Sequence, residues 1–263
     1  MFRLNLFTTI FLILALLGPA IRLLIFVLIV VTSLRERRLN WPYEPVTEDS
    51  APLTGDYLIA MNGIATSMKF RHLGLFRDAK GRRYQIRYDA WLSPERDTLA
   101  IIGFGSVGPF RCKATWMYSL LSDGTGVFST DSLSGLSNDD DGTIREQLVT
   151  NADLYELLVH HREFAAEASS PVTPFNASRP LDDLEAFRAR RLARQVEWGL
   201  AVYQEGGQAV WRSSLKGAIR RARQGQARGL EKAIQNSSRR GIARPGDPGY
   251  VPSWEREEES EEE

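Results

Sequence analysis

Phe110-Arg-Cys-Lys-Ala-Thr-Trp-Met-Tyr-Ser-Leu120 is the most regular stretch of the chain. Phe110, Cys112, Ala114, Trp116, Tyr118 and Leu120 recur with a period of two, and Arg111, Lys113, Thr115 and Ser119 fall between them. That period puts the two sets on opposite faces of a pleated strand, one apolar and one polar. On the C-terminal side Asp123-Gly124 predicts a hairpin turn into a strand at 127–130. On the N-terminal side Thr98 to Phe104 is a more continuously apolar strand, preceded by a turn at Ser93 to Asp97. Before that turn, Tyr84, Ile86, Tyr88, Ala90 and Leu92 alternate with Gln85, Arg87, Asp89 and Trp91. Asp78 to Gly81 predicts a tight connection pairing a strand at 68–76 with the one at 84–92, and Tyr57 to Met61 is expected as one more strand. Links this short join antiparallel neighbours and leave no room for crossover helices, which argues against a parallel α/β fold.

A helix should follow the polar loop at 132–142. Thr150 is expected to cap it, with Asp153 at the third position. Leu154, Leu157, Leu158, His161, Ala165 and Ala168 line one face at helical spacing. That face should pack on the apolar face of the sheet. Residues 55–168 then form one α+β domain, an antiparallel meander of five or six strands packed by a helix. The order of elements is similar to that of a pleckstrin-homology-like barrel, a similarity of element order that implies no activity.

From Leu4 to Thr32 the one ionised residue is Arg22. A helix needs about 20 apolar residues to cross a hydrocarbon core, so residues 1–39 are expected to be a membrane anchor with its basic flank. Cleavage of a leader after Ala20 would leave Leu23 to Val31 as a second apolar stretch, which favours retention. Arg22 can snorkel to an interface, or Gly18-Pro19 can break the helix into a re-entrant hairpin. The flanking charges are Arg3, Arg22, Arg35, Arg37 and Arg38. The last three surround one Glu beside the segment, the pattern of a cytoplasmic flank. The expected location is therefore the membrane, with the C-terminal body cytoplasmic. Residues 40–54, with Pro42, Pro45 and Pro52, read as a linker.

The overall balance of 33 basic and 33 acidic residues conceals a segregation along the chain. Beyond a linker at 169–180, a charged helical region is expected over 181–240. Its first helix starts near Leu181 with Leu184, Phe187, Leu192, Val196, Leu200 and Tyr203 on a loose apolar side, and Gly206-Gly207 breaks it. From Gln208 to Arg244 ten basic residues meet one acid, Glu231, and Trp211, Leu215, Ala218, Ile219 and Ala222 recur at helical spacing. This predicts a basic amphipathic helix. Arg212, Lys216, Arg220, Arg221, Arg223, Arg228 and Lys232 would bind an anionic surface, with lipid headgroups the natural partner. Residues 241–263 are expected to be a disordered tail, whose seven Glu between Glu255 and Glu263 could fold back on the basic helix.

No motif identifies a reaction. Gly103-Phe-Gly-Ser-Val-Gly108 matches the dinucleotide fingerprint, but Pro109 and a strand follow where a helix is required, so it reads as a turn or bulge. The Asn138 to Gly142 run lacks the glutamate of a calcium loop and reads as an acidic turn. His160 and Glu163 are neighbours on the helix, His161 reads as a satisfied half-buried histidine, and Cys112 as an inert core thiol. No cofactor or metal is expected. Asn176-Ala-Ser178 and Asn236-Ser-Ser238 match a glycosylation acceptor that matters only on the lumenal side. The expected function is a membrane-anchored protein with a cytosolic binding or scaffolding domain, leaning away from catalysis. Its partners would be the bilayer, anionic headgroups, or a protein at the helical region. The alternatives are a membrane-tethered small-ligand binder or enzyme whose cavity is lined by Tyr84, Tyr88, Phe104, Phe110, Trp116, Tyr118 and Phe128, or, least favoured, non-specific nucleic-acid binding.

Overall fold

The computed structural model describes residues 6–35, 38–39, 43–46, 56–78, 84–107, 110–132, 142–150, 152–204 and 210–224, with the backbone alone at 6–16, 18, 38–39, 78, 84–85, 106–107 and 110–112. In chain order the elements are α1 (Leu6–Arg35), β1 (Arg38–Leu39), β2 (Tyr43–Pro45), α2 (Asp56–Ser67), β3 (Arg71–Asp78), β4 (Tyr84–Leu92), β5 (Leu99–Val107), β6 (Phe110–Leu121), β7 (Gly126–Thr130), β8 (Ile144–Leu148), α3 (Leu154–Ala166), β9 (Val172–Thr173), α4 (Pro180–Glu197), β10 (Ala201–Tyr203) and β11 (Val210–Ser213). A last helix, α5, covers 215–224. The chain is α+β, with an eight-stranded, mostly antiparallel sheet ordered β2-β3-β4-β5-β6-β7-β8 and β9 on β6, and a three-stranded sheet ordered β1-β11-β10.

The meander from β3 to β7 lies in the expected order, and Gly124 closes the β6–β7 turn at φ +82. Three expectations change. Tyr57 to Met61 is not a strand but the start of α2, which buries Tyr57, Leu58, Met61, Ile64 and Ala65. Residues 103–107 are not a turn but the second half of β5. The Trp116 ring lies across Gly103, where a Cβ would overlap it, with Tyr88 5.7 Å away between ring centroids. Glycine therefore makes room there for an aromatic pair, and no helix N-terminus opens for a pyrophosphate. Finally, β7 and β8 run parallel. Residues 131–143 join them, about the dozen that a parallel return needs.

Helices cover both faces of the large sheet. On one face α2 and α3 enclose Trp91, Ala100, Ile102 and Met117 with Leu154, Leu157 and Leu158. On the other, Tyr88, Leu92, Leu99, Ile101 and Phe128 pack with Phe175, Leu184 and Phe187. This two-sided burial explains the unbroken apolar run in β5, where Leu99, Ala100, Ile101 and Ile102 are all at most 1% exposed. It also reverses the expected docking. α3 covers the face carrying Thr115, Met117 and Ser119, and α4 takes the aromatic face, so Phe175, Leu184 and Phe187 join the core beyond residue 168. Among the described strands no pairing of β2 with β8 closes the meander into a barrel. Phe187 seats directly on Gly126, where a Cβ would fall 2.8 Å from its Cζ. The N-cap of α3 is Asp153, whose carboxylate accepts from the Glu156 amide, and not Thr150. Asn176 is engaged in capping the approach to α4: its Oδ1 accepts from Ser178, and its amide donates to Asp183.

The region expected to be helical over 181–240 is interrupted. α4 stops at Glu197, Gly199 adopts φ +68, and the chain makes the β10–β11 hairpin. Leu200, Tyr203, Trp211 and Arg212 thus leave the helices to which their spacing assigned them. α1 is continuous through Pro19, so the hairpin break at Gly18-Pro19 is not formed. Among the described residues no helix is long and apolar enough to cross a membrane. β1 follows α1 closely and pairs with β11, Arg38 opposite Trp211 and Leu39 opposite Val210, while α1 packs on β11. Arg3, Arg37, Arg228, Lys232, the 79–83 connection, the 138–141 run, Gly206-Gly207 and the 241–263 tail lie outside the described residues, as do the side chains of Tyr84, Phe110 and Cys112.

Candidate functional site

Three polar or charged constellations stand out, and burial separates their roles. The first is internal. His161 on α3 is 0% exposed and lies between Ser119 of β6 and Ser129 of β7. The Ser119 hydroxyl donates its one proton to the Asp97 carbonyl at 2.6 Å, so it accepts from the ring. Nε2 therefore carries the hydrogen and donates to Ser119 at 2.9 Å; the unprotonated Nδ1 of the neutral ring then takes the Ser129 proton at 2.8 Å, in place of the longer 3.2 Å approach of Ser129 Oγ to Gln147 Oε1. Burial pushes the imidazole pKa down to about 3, against an opposing pull from Asp97. A neutral histidine with both nitrogens satisfied is a structural bridge between helix and sheet. Its serine neighbour at hydrogen-bond range is sealed from any substrate, with Ser119 2% exposed. Just outside, the Asp97 carboxylate accepts from Ser93 at 2.6 Å and pairs with Arg162, which also reaches Glu95 at 2.7 Å. Burial raises the Asp97 pKa, but these partners outweigh it and hold the carboxyl below its usual value.

The second constellation reaches the surface. Asp89 of β4, 7% exposed, accepts from His72 Nε2 at 2.6 Å and from Asn62 Nδ2 at 2.7 Å. Trp91 Nε1 donates to Asn62 Oδ1 at 3.2 Å, and the His72 and Trp91 rings lie 4.6 Å apart. The His72 side chain is 47% exposed, so a carboxylate-oriented imidazole faces outward. Chemically this is a carboxylate–imidazole dyad, and among the described residues no metal-binding group of His, Cys, Asp or Glu forms around it. Sequence reading missed it, because Asn62 lies just past the Tyr57 to Met61 segment expected to be a strand and is brought to Asp89 by α2. Nearby, Tyr57 bonds Thr115 at 2.8 Å and donates to Asp131 at 3.1 Å, tying α2 to β6. Among the described residues no group of three or more His, Cys, Asp or Glu could hold a metal ion. His160 does meet Glu163, at 3.4 Å, and both are exposed in part.

The third is the basic module around the small sheet. Of the anionic-surface residues expected from the sequence, Arg212 on β11, Lys216 and Arg223 are exposed, and Arg220 is half-buried. Arg221 turns inward instead: it is 5% exposed and its Nη1 donates to Ser213 Oγ at 2.8 Å. Lys216 Nζ donates to the Trp198 carbonyl at 2.9 Å, and Ser214 Oγ and its amide reach the carbonyls of Gly199 and Leu200. The start of α5 is thereby stitched to the end of α4. Gly217 permits this, since a Cβ there would overlap the Leu200 carbonyl. Of the membrane-flank set, Arg22 and Arg35 are exposed on α1 and Arg38 lies in β1. Beside them the structure exposes Leu215 (60%), which the helical spacing had included, and two residues that it had not, Trp198 (37%) and Val202 (37%). The Arg194 guanidinium lies 5.0 Å from the centre of the Trp198 ring.

Comparison of the chain with family models, curated proteins and solved structures gives no match.

Proposed function

We propose that this is a membrane-anchored protein whose α+β body, held on the cytoplasmic side by α1, acts by binding or scaffolding at the membrane surface. One observation carries the reading. Leu17, Ile21, Leu23, Leu24, Ile25, Val27, Leu28 and Val31 are all large, apolar and exposed along a single helix. Solvent-facing apolar surface on this scale marks a membrane or protein contact. The sequence of α1 extends the same character back to Leu6, and thirty residues at helical rise span about 45 Å. Arg35, Arg37 and Arg38 at its end fit a cytoplasmic flank.

Binding is favoured over a ligand cavity because the aromatic face of the sheet is occupied. Phe175, Leu184 and Phe187 fill the space that a small molecule would need. Alkaline extraction of membranes carrying the full chain is the test. The protein should stay in the pellet, and cysteines introduced at residues 40–50 should react with an impermeant reagent only after the membrane is opened from the cytoplasmic side. Release into the supernatant would refute the anchor; labelling of intact cells would refute the orientation.

A further inference from the structure

We propose that Trp198, Val202, Leu215, Arg212, Lys216 and Arg223 form an interfacial face that rests on anionic lipid headgroups of the bilayer holding α1. The inference depends on α1 being a membrane anchor, and it replaces the long basic helix with a folded three-element surface.

The first argument is placement. Two residues separate the end of α1 at Arg35 from β1, a gap the chain spans in about 10 Å. Arg38 then pairs with Trp211, and α1 itself packs on β11. Ser33, in the last turns of α1, is 4% exposed, so the helix end is seated against the body. Wherever α1 leaves the bilayer, the β10–β11 hairpin is there with it.

The second is composition. The described residues from Trp198 to Gln224 contain five basic side chains and no acid, Glu205 lying among the undescribed 205–209. Val202 and Arg212 are cross-strand partners and so share one face of the hairpin, whereas the neighbouring pair Ala201 and Ser213 is buried. The exposed pair thus joins an apolar group to a cation. Leu215 and Lys216 repeat the combination at the start of α5, and Trp198, stacked under Arg194, repeats it at the end of α4. Tryptophan, aliphatic side chains and flanking cations match a headgroup region, where rings and stems sit shallowly and charges meet phosphate. Arg221 belongs to the folded interior of the module and takes no part.

The test uses the full chain in lipid bilayers, with Cys112→Ser as background and a spin label at one site at a time: Val202→Cys on the proposed face, Leu28→Cys on α1 and Ile59→Cys on α2 as an aqueous reference. Relative accessibility to oxygen and to a polar nickel reagent reports depth. In phosphatidylcholine with phosphatidylglycerol, the label at 202 should show the oxygen-rich, nickel-poor signature of the interface. Phosphatidylcholine alone, or added salt, should reduce it. At about 1 kcal/mol for each basic residue near an anionic surface, Arg212→Gln with Arg223→Gln should lower the docked-to-undocked ratio about thirty-fold. A lipid signature at 28 with an aqueous one at 202 would overturn this proposal and leave the anchor standing. An aqueous signature at 28 would overturn the anchor itself. Equal depth at 202 in neutral and anionic bilayers would overturn the headgroup assignment, and a label shielded from both reagents would point to a protein contact and overturn it too.

Discussion

Acidification should weaken this protein through one buried ring. His161 titrates near 6.5 in the unfolded chain and at about 3 in the folded one. Between those values the unfolded state holds a proton that the folded state refuses. The neutral ring's stabilisation is therefore complete above about pH 6.5 and is lost as the pH falls toward 3, by up to about 1.4 kcal/mol per unit. From pH 7 to pH 5 the loss works out at about 2 kcal/mol. Asp97 acts in a lower window: its carboxyl is held below 3.8, so its contribution is present above that value and lost only as the pH falls through the folded one. Urea unfolding of the full chain in detergent, followed by the fluorescence of Trp91 and Trp116, measures the effect. His161→Gln removes the titrating group while keeping a polar side chain, and its stability should fall by about 2 kcal/mol less than the parent's over the same interval. The ring resonances of His161 in the folded protein should not shift between pH 8 and pH 5. Equal losses in parent and variant, or a folded-state midpoint near 6.5, would refute the sealed-bridge reading.

Two glycines should prove intolerant for different reasons. Gly103→Ala drives a methyl into the Trp116 ring on a sheet face closed by α4, and should cost about 1–3 kcal/mol in unfolding free energy. Gly217→Ala meets a backbone carbonyl, which cannot rotate away. That variant should release α5 from the α4–β10 corner, seen as faster amide exchange over 211–224, with protection of β5 and β6 unchanged. A parent-like exchange pattern would contradict the close approach.

Where the sequence was readable, local pattern and tertiary environment agreed. β4 and β6 carry period-two alternation, β5 a short apolar run bounded by a turn, and Asp123-Gly124 the turn into β7, while α3 shows its buried stripe of Leu154, Leu157, Leu158, His161 and Ala165 as spaced. It misled where a second layer intervened. Thr115 and Ser119 looked outward-facing because they are polar, but α2 brings Tyr57 and α3 brings His161 to satisfy them in the interior. The Tyr57 to Met61 run was ambiguous by nature, since five apolar residues fit either a strand or a buried helix turn. β1, β2, β9 and β10 are two or three residues long and too short to carry a period. Charge counting located the basic region but not its shape, since the strand at Trp211 comes from pairing with Arg38 far away in the chain, and Arg221 turns inward to Ser213 on that strand. The Asp89–His72–Asn62 cluster left no signal at all, being assembled from three separate elements.

The pairing of Arg38 with Trp211 joins positions 173 residues apart (211 − 38). At a ribosomal pace of about 5–20 residues per second, the first partner waits roughly ten to thirty seconds for the second to be made. In that interval the edge of β1 has nothing to pair with, and the leading helix must find its surroundings before its own clasp exists. Assembly of the small sheet thus waits until Val210 to Ser213 have been made, and a chain truncated before Val210 would lack the strand that β1 pairs with.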